Sequence, residues 1–190
     1  MIDKIKILQY LGTKGKSDGF TDLVIDDMIV KTEKHIEPKI FYKIFDIKNT
    51  DGKIEVLNTT IVFVGKSINL RLKDCNRCVI FYATLGYEID KKIKELQRTS
   101  LSEALVMNAC ASAALEDVCD NLCKNLSEEF LQNTLAKRFS PGYGDLSLEY
   151  NKEILNVLNG QRQAGIVFNQ GGLMTPTKSV TAIVGIKQRG

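Results

Sequence analysis

The feature that most restricts the fold of this chain is one long helical run over residues 101–126. Ser100 before the run and Glu103 within it have the spacing of an N-terminal capping box, which predicts where the helix begins. The middle of the run, NACASAALE, consists almost wholly of small side chains. Small side chains allow close packing of another element, so we expect this helix to lie centrally, across a sheet.

The first half of the chain contains two shorter helices and then strands. Apolar spacing predicts helices around Ile5–Leu11 and Leu23–Val30. The pair Asp51-Gly52 separates two β-rich runs and is a strong hairpin signal. The apolar run Cys78–Gly86 is a further strand candidate that ends in a turn.

The second half adds helices and a closing hairpin. The stretch YEIDKKIKELQRT precedes the long helix and is itself helical in period, and LEYNKEILNVLNG is predicted to form a helix closed by Gly160. The tail AGIVFNQGGLMTPTKSVTAIVGIK is typical of two strands around Gly171, Gly172 and Pro176. Strands and helices segregate along the chain, which predicts an α+β fold with a twisted, mainly antiparallel sheet and packed helices.

Composition limits the classes of protein that remain. A length of 190 residues with 44% apolar content favours a single domain over 1–190. The 26 basic and 23 acidic residues give a net charge of only +3, and the lysines are scattered, so we expect no nucleic acid partner. No apolar run has the length of a membrane span, and the amino-terminal residues lack a signal-peptide core, which favours a cytoplasmic protein without a membrane partner.

Several motifs that carry chemistry are incomplete. Cys75-x-x-Cys78 lacks the second cysteine pair of a structural zinc site and runs into a strand, whereas a thioredoxin-like pair opens a helix. We interpret it as structural, with a redox or metal role as the less favoured alternative. His35 is the single histidine and is expected at the surface. The sequence has no glycine pattern of a nucleophile elbow, which a catalytic histidine would accompany. The remaining cysteines of the long helix are expected to be small core or near-surface thiols: Cys110, Cys119 and Cys123.

A constrained loop follows the long helix in the stretch LAKRFSPGYGDLSLEYNKEIL. Arg138 offers a planar fork of donors that suits a carboxylate, and Tyr143 offers a flat face with a polar tip. Gly142 and Gly144 let a ligand approach the backbone, while Pro141 stiffens the turn. On these residues alone, a small-molecule site and a simple helix-to-helix turn both remain open.

The stretch KRFSPGYGDLSLEYNKEIL resembles the Arg-x-x-x-Gly-Tyr signature of the activation domain of cobalamin-dependent methionine synthase, in its free-standing bacterial form. FYATLGYEIDKKI, ALVMNACASAALEDVCDNL and GLMTPTKSVTAIVGI lie around it in the order expected for that family. The resemblance implies binding of S-adenosylmethionine. It implies that Arg138 binds the methionyl carboxylate and that Ser140, Gly142 and Tyr143 border the adenosine. It also implies a further ligand contact from Glu116 on the long helix.

Two positions depart from the family pattern. The family has an aromatic ligand contact in the closing strand, whereas the aligned position here falls near Val184. The family also has an acidic contact from its amino-terminal part, and three residues here are candidates that spacing does not separate: Asp22, Asp26 and Asp27. We expect weaker affinity or a changed ligand pose if these contacts are missing.

Other neighbours of the signature receive weaker assignments. Pro141 and Ser179 are secondary candidates for the ligand site, and Lys178 beside Ser179 is expected to face solvent. Asp117 and Asp120, close to Glu116 on the helix, are expected to be surface carboxylates.

The resemblance implies a reactivation module that supports reductive methylation of cob(II)alamin to methylcobalamin, with S-adenosylmethionine as methyl donor. Cobalamin would be carried by a partner methionine synthase chain that lacks this domain, and a flavodoxin-like protein would supply the electron. The module would bring two cofactors together and would need no catalytic acid, base or metal of its own. Two alternatives are a reactivator of another corrinoid methyltransferase and a non-catalytic S-adenosylmethionine-binding protein.

Overall fold

The computed structural model describes residues 2–13, 19–169 and 172–188, and it confirms the predicted α+β class. The helices are Lys4–Tyr10 (α1), Gly19–Glu33 (α2), Lys66–Leu72 (α3), Tyr87–Thr99 (α4), Leu101–Glu129 (α5), Tyr150–Val157 (α6) and Gly160–Ala164 (α7). The strands are Lys39–Thr50 (β1), Lys53–Val56 (β2), Val62–Val64 (β3), Arg77–Thr84 (β4), Asn133–Leu135 (β5), Val167–Phe168 (β6), Met174–Thr175 (β7) and Ser179–Gln188 (β8). None of these helices is long and apolar enough to cross a membrane.

The main sheet has the order β3-β2-β1-β4-β8-β5, and each of its neighbouring strands is antiparallel. The predicted hairpin joins β1 to β2, and both turn residues have positive φ, 50° at Asp51 and 76° at Gly52. That is the conformation a two-residue type I′ turn requires. β4 lies in the centre, where Val79 pairs with Ile44 of β1 on one side and with Val184 of β8 on the other.

The long helix α5 divides into two parts that pack against different elements. Its second half lies on the sheet, where Cys119, Leu122 and Leu126 share a core cluster with strand residues such as Phe81 and Val184. Its small-residue middle, by contrast, packs with α1, α2 and α4. The prediction of close packing there is confirmed, but the partners are helices rather than the sheet. The Ser100 side chain accepts a hydrogen bond from the Glu103 N–H, and the helix continues to Glu129.

The opposite face of the sheet is covered by α3, α6 and the loop between β5 and α6. Ile68 and Leu72 of α3 and Ile154 of α6 are buried against strand residues that include Phe63 and Tyr82. Helix α3, Lys66–Leu72, was not predicted from the sequence. Seven residues give too short a periodic pattern to stand out from the surrounding strand-like sequence.

Two predictions for the second half need correction. Gly160 does not close α6; that helix ends at Val157, Asn159 takes the left-handed conformation with φ 53°, and Gly160 begins α7. The closing hairpin is only the two-residue pair β6–β7, and the long strand β8 instead pairs with β4 and β5. Gly171, part of that predicted turn, lies outside the described residues.

Candidate functional site

The segment that carries Arg138 is fixed to strand β8 by backbone hydrogen bonds. The Ala136 N–H donates to the Gly185 carbonyl over 2.8 Å, and Phe139 and Ile183 exchange N–H to carbonyl bonds of 2.9 and 2.8 Å. This close approach depends on Gly185, because a Cβ there would lie 3.3 Å from the Ala136 Cβ and 2.5 Å from the Cys75 Sγ. The chain is therefore held at both sides of Arg138, which directs that residue toward α5.

Arg138 and Glu116, which the family resemblance groups together, contact each other directly. The Arg138 Nη2 donates to the Glu116 carboxylate, and the Arg138 Nη1 lies 3.7 Å from the Asp120 Oδ1. That second separation is too long for a hydrogen bond. Nη1 is buried and has no hydrogen-bond partner within the described part of the chain. The guanidinium is thus fixed by one carboxylate and keeps an unused donor.

A second cation, Lys6 of α1, joins this network. Its ammonium lies 2.6 Å from both the Asp117 Oδ1 and the Asp120 Oδ2, and the Asp3 N–H donates to Asp117 over 2.9 Å. Asp120 is exposed, as expected, and Asp117 is half-buried, and both also tie α1 to α5. Lys6 could not be predicted from the sequence, since its partners are 111 and 114 positions away and no local pattern connects them.

The charges of this network favour its ionised form. Burial acts to lower the pKa of Arg138, but Cys119 and the Glu116 and Asp120 carboxylates outweigh it, so the pKa is raised. For Lys6, burial likewise opposes the charge, and its hydrogen bonds to the two aspartates raise the pKa well above its usual value. Two cations and three carboxylates leave the cluster with a net charge of −1 at neutral pH.

The loop after Arg138 turns tightly on itself. The Gly142 N–H donates to the Leu146 carbonyl over 2.8 Å, and the Tyr143 N–H donates to the Ser140 carbonyl over 3.3 Å. Gly142 has φ 90°, a conformation that glycine adopts without steric cost. Ser140 and Pro141 are buried, whereas the Tyr143 ring is 67% exposed. The loop therefore presents Tyr143 to solvent from a fixed base.

The far end of the loop is attached to the start of α3. The Asp145 carboxylate accepts hydrogen bonds from the N–H groups of Lys66, at 2.6 Å, and Ser67, at 2.9 Å. These bonds, the Ser67 backbone bond first, lower the pKa of Asp145 to about 2. Gly144, with φ 58°, lies against Ser67 so closely that a Cβ would be 2.4 Å from the Ser67 Oγ. The chain's own packing thus requires this glycine.

A cavity of about 350 Å³ opens beside the loop. Its polar floor includes the Thr181 hydroxyl, which donates to the Asn151 Oδ1 over 2.7 Å, and Ser179, whose hydroxyl donates to Thr84 over 2.8 Å. Apolar groups such as Leu148 and Met174 form part of its walls. Four of the residues predicted for the ligand site line this one cavity: Ser140, Pro141, Tyr143 and Ser179.

Two smaller grooves lie at the charged network. One, of about 340 Å³, is lined by Arg138, Asp120 and Cys123 together with Val184, the position at which the family has an aromatic residue. The other, of about 300 Å³, lies between α1 and α5 and is lined by Lys6, Gln9, Tyr10 and Glu116. Sequence reasoning missed Tyr10 for the same reason as Lys6, because nothing near it in the chain marks its position beside α5.

The amino-terminal acidic candidates are engaged elsewhere. Asp22 and Asp26 lie 3.4 and 2.8 Å from the Lys4 ammonium, and Asp27 lies 2.6 Å from that of Lys31. None of the three belongs to the lining of the cavity or the two grooves described above. The amino-terminal part instead contributes Lys6 and Tyr10 to this region.

Other residues singled out in the sequence occupy structural positions. Lys178 does not face solvent as expected, since its ammonium donates to the Ser112 hydroxyl over 2.8 Å and burial lowers its pKa. His35 is half-buried, with its Nδ1 2.7 Å from the Lys31 carbonyl. Cys78 is fully buried, which raises the pKa of its thiol. Within the described ranges, no three histidine, cysteine or acidic side chains cluster as metal ligands would.

One short segment borders both a groove and the cavity, since Arg138 lines the groove and Ser140, two residues later, lines the cavity. The charged network offers a guanidinium with a carboxylate beside it, and the cavity offers apolar walls over a polar floor. Pockets of this kind, mostly apolar with a few placed polar groups, are typical of small-molecule sites. The arrangement defines a candidate binding site rather than a set of acid–base groups.

Comparison with known proteins supports the fold. No family model matches the chain, and no curated protein matches it. Its fold is similar to that of a solved structure, the MetH reactivation domain bound to AdoHcy, with a TM-score of 0.75 and 15% sequence identity. The similarity covers 100% of this chain and 75% of that one. At this identity the likeness shows a shared fold alone.

Proposed function

We propose that this protein binds S-adenosylmethionine and acts as the reactivation module of a cobalamin-dependent methionine synthase. The observation that supports the proposal is the position of the Arg-x-x-x-Gly-Tyr segment, which contacts the charged network at one end and lines the cavity at the other. Arg138 meets Glu116 at the charged network, and two residues later the chain enters the cavity through Ser140. The fold likeness to a domain that was solved with AdoHcy adds support.

The chemistry of the site fits this ligand. S-adenosylmethionine carries a carboxylate, an ammonium and a sulfonium, so its net charge of about +1 complements the net charge of −1 on the network. Arg138 would hold the carboxylate through a guanidinium donor that Glu116 does not use, and Glu116 would face the ammonium. The adenosine would occupy the cavity lined by Ser140 and Tyr143, with Pro141 and Ser179 at its edge, and Gly142 would shape the turn between Ser140 and Tyr143.

Within this proposal the protein contributes binding and orientation. The bound ligand would supply an activated methyl group, and the acceptor would be a reduced corrinoid on a partner methionine synthase chain that lacks this domain. A flavodoxin-like protein in the cytoplasm would supply the electron. No side chain of this protein needs to accept or donate a proton, since the methyl donor is already activated and the acceptor is itself a nucleophile.

Calorimetric titration of S-adenosylmethionine into the purified protein tests the proposal, with Arg138→Ala measured in parallel. We expect the substitution to weaken binding by about 1.5–3 kcal/mol, the usual value of a hydrogen bond to a charged group. Arg98→Ala is the matched control, because Arg98 is exposed in the last turn of α4. A folded wild-type protein that binds no S-adenosylmethionine would contradict the proposal, as would equal binding by Arg138→Ala.

The reactivation role needs a second measurement. Methyl transfer from labelled S-adenosylmethionine to a reduced methionine synthase corrinoid chain should depend on the addition of this protein. Methyl transfer only to a different corrinoid methyltransferase would mean that this protein reactivates that enzyme and not methionine synthase. Binding of S-adenosylmethionine without methyl transfer to any corrinoid protein would reduce the function to ligand binding.

A further inference from the structure

We infer that the ring of Tyr10, together with Glu116 across the same groove, flanks the sulfonium of the bound ligand and makes the site prefer S-adenosylmethionine to its neutral, demethylated product. This inference rests on the proposed function and adds a residue to it that neither the signature nor the fold likeness assigns. It concerns discrimination between two ligands that differ by one methyl group and one positive charge.

The position of Tyr10 is fixed by the anchoring of α1. Ile7 and Leu8 of this helix are buried in the core it shares with α2, α4 and α5, and Lys6 forms its two ion pairs with α5. After the helix, the Thr13 hydroxyl donates to the Leu8 carbonyl over 3.0 Å. Tyr10, at the last position of α1, therefore projects from a rigid element into the groove that it forms with Glu116.

The groups around the Tyr10 phenol are those assigned to the ligand site. Burial raises the pKa of Tyr10 and the Glu116 carboxylate raises it further, whereas Arg138 and Lys6 lower it. Glu116 and Lys6 also line the groove into which Tyr10 projects, which places the phenol beside the charged network. The Tyr10 hydroxyl makes no hydrogen bond to any residue that the structure describes and the side chain is 51% exposed, so no protein contact keeps the ring from a ligand.

The covalent structure of the ligand places its sulfonium between the two parts of the proposed site, the charged network and the loop. The sulfur joins the methionyl part, which is assigned to Arg138 and Glu116, to the adenosyl part, which is assigned to the loop. Aromatic faces attract cations through their quadrupole, and a carboxylate adds direct charge attraction. Tyr10 is 51% exposed, so a methyl group beside its ring would remain accessible to an acceptor on another chain.

The test compares the affinities of S-adenosylmethionine and S-adenosylhomocysteine for the wild type and for Tyr10→Leu and Tyr10→Phe. We expect wild type to bind the charged ligand more tightly. Tyr10→Leu should weaken its binding about two- to fivefold, the usual effect of a partly exposed cation–π contact, and leave the neutral ligand within about twofold. Tyr10→Phe keeps the ring and should behave as wild type. Ile5→Ala, at a position of α1 that is 62% exposed, controls for disturbance of the helix and should change neither affinity.

The outcomes separate this inference from the proposed function. Equal losses for both ligands in Tyr10→Leu would mean that the ring packs on a shared part of the ligand and would overturn the inference alone. An unchanged ratio of affinities, or a change in Ile5→Ala as large as that in Tyr10→Leu, would do the same. Failure of the folded wild type to bind either ligand would overturn the proposed function and the inference with it.

Discussion

The two ends of the candidate site are built in different ways. At the charged end, partners are distant in sequence: Lys6 meets residues more than a hundred positions away, and Arg138 meets Glu116 across 22 positions. At the loop end, the backbone bonds Gly142 to Leu146 and Tyr143 to Ser140, within four residues. The charged end is held by side-chain charge, whereas the loop end is held by backbone conformation and steric fit.

This difference predicts different sensitivities. Ion pairs that are partly exposed contribute modestly to stability and are screened by salt. A glycine that has a positive φ and lies against a neighbouring residue leaves no room for a side chain. Salt does not change this steric restriction. Substitutions of glycine at the loop end should therefore cost more stability than substitutions of charged residues at the charged end, even though the charged end is assigned the stronger ligand contacts.

The largest effect is expected for Gly144→Ala. A Cβ at this position would lie 2.4 Å from the Ser67 Oγ and 2.9 Å from the Ser67 Cβ, on a backbone with φ 58°. Steric overlap and the left-handed conformation together should lower the free energy of unfolding by about 2–4 kcal/mol, measured by chemical denaturation. Gly52→Ala is the matched control, because Gly52 has φ 76° but nothing lies within 4 Å of its added Cβ.

The control separates the two causes. Gly52→Ala should cost about 1 kcal/mol, the conformational part alone. If Gly144→Ala costs no more than Gly52→Ala, the contact with Ser67 relaxes freely, and the loop end is not held by steric fit.

The same contrast explains what the sequence could and could not predict. The loop was recognisable because its constraints are local: Pro141, Gly142 and Gly144 lie close together, and each has a conformational reason to be there. The hairpin at Asp51-Gly52 and the start of α5 were predicted correctly for the same reason, since turn and cap chemistry act within a few residues.

Where tertiary contacts decide, the sequence was less informative. Lys6 and Tyr10 carry no local signal of their place beside α5, and the small side chains of α5 indicated close packing without identifying the helices that pack there. Lys178 was misassigned to solvent because its partner, Ser112, comes from α5. The closing strand β8 was predicted to pair within a hairpin, which was wrong. It pairs with β4, which lies about a hundred residues earlier in the chain.

At the charged end, Glu116→Gln should have a smaller effect on stability than Gly144→Ala. The substitution removes the charge that faces Arg138 and leaves Asp120 Oδ1, at 3.7 Å, as its remaining acidic neighbour in the described ranges. Because the Glu116 side chain is 39% exposed, we expect a loss of about 1 kcal/mol in dilute buffer. The loss should shrink in about 1 M salt, where charges are screened within about 3 Å.

Glu128→Gln provides the comparison for this measurement, because Glu128 is exposed on the same helix and has no ion-pair partner in the described structure. Equal losses for Glu116→Gln and Glu128→Gln would show that the contact with Arg138 adds nothing to stability in the absence of ligand. A loss at Glu116 that is independent of salt would show that packing, rather than charge, holds the charged end together.

The smallest effect is expected at Asp145, the one charge that belongs to the loop end. Its pKa, about 2 in the folded protein against an ordinary 3.8, is lowered chiefly by hydrogen bonds from Ser67 and Lys66. A folded-state pKa below the unfolded value stabilises the fold above about pH 4, and this contribution is lost as the pH falls toward about 2. Asp145→Asn should therefore be less stable than wild type at about pH 6, and the gap should narrow in denaturation experiments between about pH 4 and pH 2. Because the carboxylate acts through short bonds to backbone N–H groups, the gap at pH 6 should persist in salt that removes the effect of Glu116→Gln. A gap that salt abolishes would place Asp145 with the charged end and remove the distinction between the two ends.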